Sequence, residues 1–415
     1  MTEERTKLTR GLVQNLQNTR ADEQIPIIVR YVSGRRRLRL RGPLPGIRLS
    51  YLYKLLPCEH MHATPEAIRK LEADPDVVRV YEDRQVFALL NSSVPTIGVP
   101  RLWQEGLSGE GVRIAVIDTG VDASHPDVAG RVAAQVDYTG EGDGDANGHG
   151  THCASIALGN AAASVGTYCG VAPGATLLAA KVLKAGGSGM MSDVMAGVEW
   201  AVDQGAQVIS LSLGGPGPSS GEDALSDTCD AAVDLGVIVC VAAGNDGPRQ
   251  YSVGSPGAAR KAITVGACTD NDTIATFSSR GPTGDGRVKP DVVLPGVDIV
   301  AARAAGTAMG TVVNQFYTSA SGTSMATPHA AGVCALLLQA EPHLKPEQVK
   351  SRLMATAADV GATPYAQGSG RVDAWHAAHA DEPDVPSTPD VPAAPGQGCL
   401  ALLMRVLFWG RSAGN

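Results

Sequence analysis

The stretch SASGTSMATPHAAG, residues 319–332, contains a serine and a histidine that could take part in nucleophilic catalysis. A serine hydroxyl is a weak nucleophile, so it needs a base that removes its proton, a group that orients the base, and donors for the oxyanion. If the segment from Ser324 onward is helical, five residues rotate by about 140° around the helix axis. Ser324 and His329 then point to different faces, so we expect the base elsewhere in the chain.

Four other polar residues follow apolar or glycine-rich runs and could complete such a site. His149 and His152 lie in NGHGTHCAS, where a glycine-rich loop passes into a helix-like run, and Asp118 ends the apolar run VRIAVID. Asn245 lies in AAGNDG and could donate to an oxyanion. Asp118 and Asn245 could also be simple turn residues. The H-x-x-H pair could bind zinc, although no third ligand follows at a suitable spacing.

Apolar runs between about residues 111 and 340 predict the elements that must position these groups. VRIAVID, TLLAAKVL, VISLSL and VIVCVAAG have the pattern of buried strands, and helical stretches such as SDVMAGVEWAVDQG separate them. This alternation is typical of an α/β fold with a mostly parallel sheet and helices on both faces. In such sheets functional groups collect beyond the carboxyl ends of the strands. The runs here do end in polar or glycine-rich residues.

A shorter pattern between Ile25 and Phe87 precedes this region. Strand-like runs flank the helix candidate TPEAIRKLEAD, in which Thr64 can cap the first turn and Pro65 fits it. The pattern predicts a small α+β unit over residues 23–90, after a polar tail at 1–22 and before a main domain at 91–378. An acidic, proline-rich linker at 379–398 and a short apolar tail at 399–415 follow.

Four segments together resemble the motifs of the subtilisin-like serine proteases, in that family's order of Asp, His, Asn and Ser. They are VIDTGVDASHPD (116–127), NGHGTHCAS (147–155), AAGNDG (242–247) and SGTSMATPHAAG (321–332). The resemblance covers roughly residues 91–376 and implies a serine endopeptidase. It assigns these roles: Ser324 as nucleophile, His149 as general base, Asp118 as the carboxylate that orients it, and Asn245 with the Ser324 N–H as oxyanion donors.

The resemblance also bears on neighbouring residues and on alternatives. His152 and His329 become structural, and Cys153 is expected close to His149. A catalytically inactive, peptide-binding or chaperone-like member of the same fold would lack at least one of the four catalytic groups, and none is missing. An esterase of another fold would call for a G-x-S-x-G motif, whereas this serine lies in G-T-S-M-A.

Two further segments resemble the walls of the family's substrate cleft. SLSLGGP matches one edge and GGSGMM the other, so the resemblance implies substrate-binding roles for Ser212, Leu213, Gly214, Gly187, Ser188 and Gly189. An extended peptide between two such edges binds by strand addition. Gly254, in SVGSPG, matches the floor of the main specificity pocket. We expect broad specificity with a preference for large apolar residues before the scissile bond.

The small N-terminal unit resembles the family's inhibitory propeptide, which has a ferredoxin-like α+β fold. Its end reads VYEDRQVFALL before NSSVPTIGV, so the resemblance implies self-cleavage after Leu90. Phe87 would then occupy the apolar pocket three residues upstream of Leu90. The expected partners are protein or peptide substrates and the chain's own propeptide, an intramolecular inhibitor.

Metal binding is the weakest part of the resemblance. Asp127 matches a carboxylate of the family's strong calcium site, so a structural calcium ion is a possible cofactor, and none is expected for catalysis. The loop ALGNAAASVGTYCG does not match that site cleanly. DGDANG (143–148) imitates the start of an EF-hand loop, but Ala154 stands where the EF-hand needs glutamate.

Composition excludes several other classes of function. The 415 residues carry a net charge of −8, which favours neither nucleic acid nor an anionic membrane as partner. The sequence contains no run of 18 apolar residues, so we expect no membrane span. Its N-terminal segment does not resemble a secretory signal. The eight cysteines form no C-x-x-C motif. We expect a cytoplasmic protein, with extracellular release by an unconventional route as the alternative.

Overall fold

The computed structural model describes residues 6–9, 12–13, 15–16, 19–32, 45–83, 85–88 and 94–380. These described residues belong to one compact unit. The predicted tail at 399–415 and all but two residues of the predicted linker at 379–398 lie outside the described residues, as does Leu90. None of the described helices is both long enough and apolar enough to cross a membrane.

The N-terminal unit is an antiparallel sheet covered by one described helix. Its strands are β1 (Ile25–Tyr31), β2 (Ile47–Leu52), β3 (Cys58–Ala63) and β4 (Val77–Glu82), in the order β2–β3–β1–β4, and its helix is α1 (Pro65–Glu72). As predicted, Thr64 caps α1, because its hydroxyl accepts from the Ala67 N–H at 3.4 Å. Strand β1 lies between β3 and β4, so the β3–α1–β4 connection is a split β-α-β unit.

The segment predicted as a polar tail contributes to the core of this unit. Leu8 forms a parallel bridge with Val80, and the side chains of Leu8 and Leu12 are 6% and 0% exposed. They pack in a cluster with Ile27, Val29 and Ile68. The prediction of a polar tail up to residue 22 is therefore wrong for this stretch. Leu8 and Leu12 lie four positions apart and pack in the same core. This spacing is difficult to recognise in the sequence, because polar residues surround both leucines.

The main domain is built on a parallel sheet of seven strands, in the order β14–β13–β12–β10–β6–β8–β7. These strands are β6 (Arg113–Asp118), β7 (Val132–Asp137), β8 (Thr176–Lys181), β10 (Val208–Leu211), β12 (Ile238–Ala242), β13 (Ile263–Cys268) and β14 (Val292–Pro295). All six neighbouring pairs are parallel. From β6 the chain first forms the edge strand β7 and then β8, which lies between β7 and β6. It then continues on the other side of β6, from β10 to β14. In open sheets such a reversal marks the functional crevice.

Helices cover both faces of the sheet, which confirms the predicted α/β fold. They are α2 (Val99–Gln104), α3 (His149–Leu158), α4 (Met191–Asp203), α5 (Ala224–Asp234), α6 (Thr323–Ala340), α7 (Pro346–Ala355), α8 (Pro364–Gln367) and α9 (Ala374–Ala378). Side chains alternate along each strand, so Ile114 and Val116 pack against α3 and α6 while Ala115 and Ile117 pack against α4 and α5. Helix α6 is buried along most of its length, as expected for a helix that is apolar on every side.

The small unit packs against the α4–α5 face of the main domain. Tyr53 donates to the carbonyl oxygen of Ser192 at 3.0 Å, and Asp83 accepts from the N–H and the hydroxyl of Ser192 at 2.9 and 2.7 Å. Tyr81 donates to Asp227 on α5 at 2.9 Å. A carboxylate at the start of α4 is also favoured by the helix dipole.

Shorter strands complete the fold. Strand β5 (Gln85–Ala88) forms an antiparallel sheet with β9 (Ser188–Met190) and β11 (Leu213–Gly214), and β5 is its middle strand. A second antiparallel sheet contains β15 (Ile299–Ala302), β16 (Thr311–Val312) and β17 (Tyr317–Ala320).

Candidate active site

The three residues of the predicted catalytic row lie at the carboxyl edge of the parallel sheet or at the start of helices. Asp118 is the last residue of β6, His149 is the first residue of α3, and Ser324 is the second residue of α6. All three side chains are buried. Residues that are 31 and 175 positions apart along the chain thus belong to neighbouring elements that pack together in one core.

Asp118 and His149 form a short hydrogen bond. The ring nitrogen Nδ1 of His149 lies 2.6 Å from Oδ1 of Asp118, and the Thr119 N–H donates to the same oxygen at 2.6 Å. The carboxylate accepts, so Nδ1 carries the proton and Nε2 of the neutral ring is the basic nitrogen. Burial of the ring is the largest single influence and disfavours its charged form. The charge and the hydrogen bond of Asp118, together with Cys153, outweigh burial and hold the pKa of His149 well above its usual range.

Ser324 is held next to this pair. Its hydroxyl donates to the carbonyl oxygen of Ser212 at 2.9 Å, and the Ser212 hydroxyl donates to the Ser324 carbonyl oxygen at 2.6 Å. The sulfur of Cys153 lies 3.8 and 3.9 Å from the two ring nitrogens of His149 and 3.5 Å from the Ser324 carbonyl oxygen. The expected proximity of Cys153 and His149 is therefore confirmed. In this structure the hydroxyl of Ser324 is bonded to Ser212 rather than to the imidazole.

Asn245 is oriented by its neighbour on α6. Its side-chain oxygen accepts from the N–H and the hydroxyl of Thr323 at 2.8 and 3.1 Å. A backbone N–H can only donate, so the amide oxygen must face Thr323 and the NH₂ group must face away from it. The Ser324 N–H belongs to the first turn of α6, where backbone donors have no partner within the helix. The two predicted oxyanion donors thus lie side by side at the N-terminus of α6.

The two predicted cleft edges hold the chain's own β5 between them. On one side Val86 pairs with Gly189 and Phe87 with Ser188, and on the other Phe87 pairs with Gly214. Ala88 pairs with Leu213. Gly187 precedes β9, and Ser212 precedes β11. The structure therefore brings together all six residues that were predicted for these edges.

Gly254 packs against the continuation of the β11 edge. A Cβ atom at Gly254 would lie 1.9 Å from the carbonyl oxygen of Gly215, and the Gly215 N–H donates to the Ser255 carbonyl oxygen at 2.8 Å. A side chain at position 254 would displace this backbone. Gly254 thus borders the same wall of the cleft as Gly214.

The two other histidines of the motifs, His152 and His329, contact backbone carbonyl oxygens in the core. Nε2 of His152 lies 3.2 Å from the carbonyl oxygens of Ile299 and Thr318, so it links α3 to β15 and β17. Burial lowers the pKa of His152 to about 3, so this ring is neutral. Nδ1 of His329 lies 2.6 Å from the carbonyl oxygen of Met325 on its own helix. Both residues have the structural contacts that the resemblance implied.

The surroundings of Asp127 do not fit a calcium ion. Its carboxylate accepts from the Ala163 N–H at 2.9 Å and from the Tyr317 hydroxyl at 2.7 Å. Calcium needs six to eight oxygen ligands, whereas hydrogen-bond donors face this carboxylate. The Arg131 guanidinium donates to the Leu158 and Pro173 carbonyl oxygens at 2.5 and 2.8 Å, and it also binds the carbonyl oxygen of Asp127. The carbonyl oxygens of this loop thus already bind a positively charged side chain of the protein itself, that of Arg131.

We therefore expect stability to depend on Tyr317 and not on calcium. A chelator such as EDTA should leave the midpoint of thermal unfolding unchanged. Tyr317→Phe should lower the free energy of unfolding by about 1–3 kcal/mol, because it leaves a buried carboxylate oxygen without its donor. Differential scanning calorimetry measures both effects, with Tyr365→Phe as the control. A large drop in the unfolding midpoint on chelation would contradict this expectation.

The fold and the grouping of Asp118, His149 and Ser324 are typical of an α/β serine hydrolase. Comparison with known proteins specifies the class. The subtilase family model matches residues 109–370. The chain is 39% identical over 333 residues to serine protease AprX of Bacillus subtilis (strain 168), over 74% of this chain and 75% of that protein.

Two other relatives agree. M-protease of Shouchella clausii (strain KSM-K16) is 37% identical over 333 residues, which is 79% of this chain and 81% of that protein. Subtilisin E of Bacillus subtilis (strain 168) is 39% identical over 321 residues, which is 75% of this chain and 78% of that protein. The chain belongs to the subtilase family and is a serine endopeptidase, as its motifs predicted.

Sequence reasoning missed two groups at this site. The carbonyl oxygen of Ser212, which accepts from Ser324, belongs to a residue that was predicted only as a substrate-binding position. Asp145 accepts five hydrogen bonds beside His149, but its segment DGDANG was considered only as an imitation of a calcium loop. Its position four residues before the histidine, at the start of a predicted helix, was the signal available in the sequence.

Proposed function

We propose that this chain is the zymogen of a broadly specific endopeptidase in which Asp118, His149 and Ser324 carry out peptide hydrolysis. The observation that supports the proposal most directly is β5, which extends through a cleft beside Ser324 as the middle strand of a three-stranded sheet. A substrate peptide of any sequence can adopt the same arrangement, because the ladder uses backbone groups.

Hydrolysis then follows from the positions of these groups. The Ser324 hydroxyl turns from the Ser212 carbonyl to Nε2 of His149, gives up its proton there, and its oxygen attacks the carbonyl carbon of the scissile bond. The oxyanion accepts from the Asn245 NH₂ group and the Ser324 N–H. His149 passes its proton to the leaving amine, and a water molecule, activated by the same ring, releases the acyl group from Ser324. Asp118 stabilises the charged ring in both halves of the reaction.

We expect Asn245→Ala to lower kcat about 10²–10³-fold with little change in KM, because the donor acts on charge that develops in the transition state. This magnitude is established for the oxyanion asparagine of subtilisin and is carried over by kinship. Steady-state hydrolysis of a tetrapeptide p-nitroanilide measures it. Asn314→Ala is the control, since Asn314 accepts two backbone N–H groups in a distant turn. An equal loss in both variants, or none in Asn245→Ala, would refute the role of Asn245.

The preference for large apolar residues before the scissile bond rests on the glycines that line the cleft. Gly187, Gly189 and Gly214 add no side chains to the two edges beside the peptide. Gly254 keeps the adjoining wall compact. The ladder binds any backbone while this space accepts bulky groups, so we propose that the preference is loosely enforced.

The propeptide role of residues 23–90 rests on the register of β5. Ala88 lies opposite Leu213, and the next residue along β11 in the direction of the propeptide's continuation is Ser212, whose carbonyl accepts from Ser324. The carboxyl end of the described strand β5 therefore points toward the nucleophile. We propose self-cleavage near Leu90, after which the small unit stays bound and blocks the cleft until it is degraded.

N-terminal sequencing of the purified protein tests the zymogen. The large fragment should begin at Asn91 or within a few residues of it, and the Ser324→Ala protein should remain full length. A wild-type protein that hydrolyses casein while its N-terminus stays intact would refute the propeptide and leave the endopeptidase standing.

We also propose a cytoplasmic location. Six cysteines in the described part of the chain are free thiols: Cys153, Cys169, Cys229, Cys240, Cys268 and Cys334. The sulfur atoms of Cys240 and Cys334 lie 3.9 Å apart without a bond. Structural disulfides are typical of oxidising compartments, whereas free thiols are usual in reducing ones. Fractionation of cells that express the tagged protein would test this proposal.

A further inference from the structure

Asp145, in the loop before α3, is a buried carboxylate saturated with hydrogen bonds. Its side chain accepts on Oδ1 from the Thr119 hydroxyl at 2.8 Å, the Asn147 N–H at 3.1 Å and the Gly148 N–H at 2.7 Å. On Oδ2 it accepts from the N–H and the hydroxyl of Thr151 at 2.9 and 2.7 Å. The residue is 8% exposed. A carboxylate has about four lone-pair sites, so five donors leave it no free acceptor capacity.

The donors of Asp145 come from residues next to both members of the Asp118–His149 pair. Thr119 directly follows Asp118, whereas Gly148 directly precedes His149. The Thr119 hydroxyl, which donates to Asp145, also accepts from the Gly150 N–H at 2.9 Å. The turn after β6 and the first turn of α3 are therefore joined through a single carboxylate on one side of the imidazole.

The two segments have no room to adjust independently. A Cβ atom on Gly150 would lie 2.0 Å from the carbonyl oxygen of Gly120, and one on Gly120 would lie 2.0 Å from that of Gly144. Gly120, Gly144 and Gly148 have φ angles of +99°, +106° and +104°, which favour glycine. A displacement of the loop that contains Asp145 is thus transmitted to the backbone beside Asp118 and His149.

We propose that Asp145 is a positioning residue that fixes the carboxylate of Asp118 relative to the imidazole of His149. The inference rests on the proposed catalytic roles of these two residues. Asp145 itself touches neither of their side chains in the described hydrogen bonds. Its effect is geometric: near-attack alignment tolerates little error, and a misplacement of about 1 Å can lower a rate about 10²-fold.

Asp145→Asn is the sharpest test, because it preserves shape while it removes the negative charge and replaces one acceptor oxygen with a donor. The amide offers one oxygen, so its NH₂ group must face either Thr151 or the Thr119 and Gly148 donors. We expect kcat for a tetrapeptide p-nitroanilide, per active site titrated with a fluorophosphonate, to fall about 10²-fold with KM within about twofold. The acid limb of the pH profile of kcat/KM should move to lower pH, since a loosened Asp118 raises the pKa of His149 less.

Asp137→Asn is the matched control. Asp137 is also a turn aspartate, and it accepts from the N–H and the hydroxyl of Thr139 and from the Gly142 N–H, all at 2.7 Å, without joining the two catalytic segments. Its kcat and acid limb should remain those of the wild type. Asp145→Asn with unchanged kcat and an unchanged acid limb would overturn the inference, and so would equal effects in both variants.

A second variant keeps the test decisive if Asp145→Asn does not fold. Thr119→Val removes one of the five donors and keeps the volume of the side chain, so kcat should fall about 10-fold, again with little change in KM. An unchanged kcat in a folded Thr119→Val protein would overturn the inference. The proposed function fails separately, through Ser324→Ala: if that variant retains activity, the catalytic roles are wrong, whatever Asp145 does.

Discussion

Ser324→Ala is expected to lower kcat for peptide hydrolysis about 10⁶-fold and to leave the chain full length. The alanine has no oxygen that can attack the scissile carbonyl, while the fold around it is unchanged, because a hydroxyl that donates only to the Ser212 carbonyl is removed. The magnitude is the one established for subtilisin, to which this chain is related, and is carried over by that relationship. Gel electrophoresis of the purified variant tests its length. Hydrolysis of casein and of a tetrapeptide p-nitroanilide then measures kcat, after an active enzyme has processed the variant and has been removed.

Ser321→Ala is the control for this prediction. Ser321 lies three residues before Ser324 in the same motif, is exposed, and lies 3.3 Å from Asp298 through its hydroxyl. It should hydrolyse both substrates at the wild-type rate. Activity that survives in Ser324→Ala would show that another nucleophile acts. No hydrolysis by the wild type would instead favour the inactive, peptide-binding alternative.

Asp118→Asn is expected to lower kcat about 10⁴-fold, the next largest effect. The amide NH₂ group can donate to Nδ1, which forces the proton onto Nε2, the nitrogen that must accept the proton of Ser324. The lost charge also changes the pH dependence. In the wild type the active ring is neutral, so kcat/KM falls as the pH falls through the raised pKa of His149. Without the Asp118 charge that pKa falls, so the acid limb of the residual activity should move to lower pH.

Asp122→Asn is the matched control, because Asp122 lies four residues after Asp118 in the same loop and accepts from Ser124 and the Ala305 N–H. Its profile should keep the wild-type acid limb. If Asp118→Asn retained that limb, the carboxylate 2.6 Å from Nδ1 would not set the pKa of His149. Both halves of the prediction would then have to be given up.

Several elements could be predicted because they depend on neighbours along the chain. The apolar run that ends at Asp118 became β6, and Thr64 caps α1 where its position before Pro65 indicated. Strand periodicity and helix capping are local interactions, so a window of a few residues contains most of the information. The same holds for the motif around Ser324, whose residue types identify the family before any contact is known.

Other features depend on residues far apart, and here sequence reasoning was incomplete or wrong. Leu8 lies in a polar segment, yet its partner Val80 is 72 positions away. Asp127 was matched to a calcium site, but Tyr317, 190 positions later, donates to it. Neither outcome follows from a local pattern, because each is decided by which distant backbone or side chain packing brings within about 3 Å.

The sequence by itself determined the α/β class and the family, and it predicted Asp118, His149, Asn245 and Ser324 as the catalytic groups, because periodicity and motif are encoded in neighbouring residues. Only the tertiary structure decided that β5 extends between the cleft edges, that the Ser324 hydroxyl rests on a backbone carbonyl, and that Asp145 joins two catalytic segments. Each of these features depends on hydrogen bonds, and each donor or acceptor has many other possible partners along the chain. Close packing of the whole domain selects among those partners.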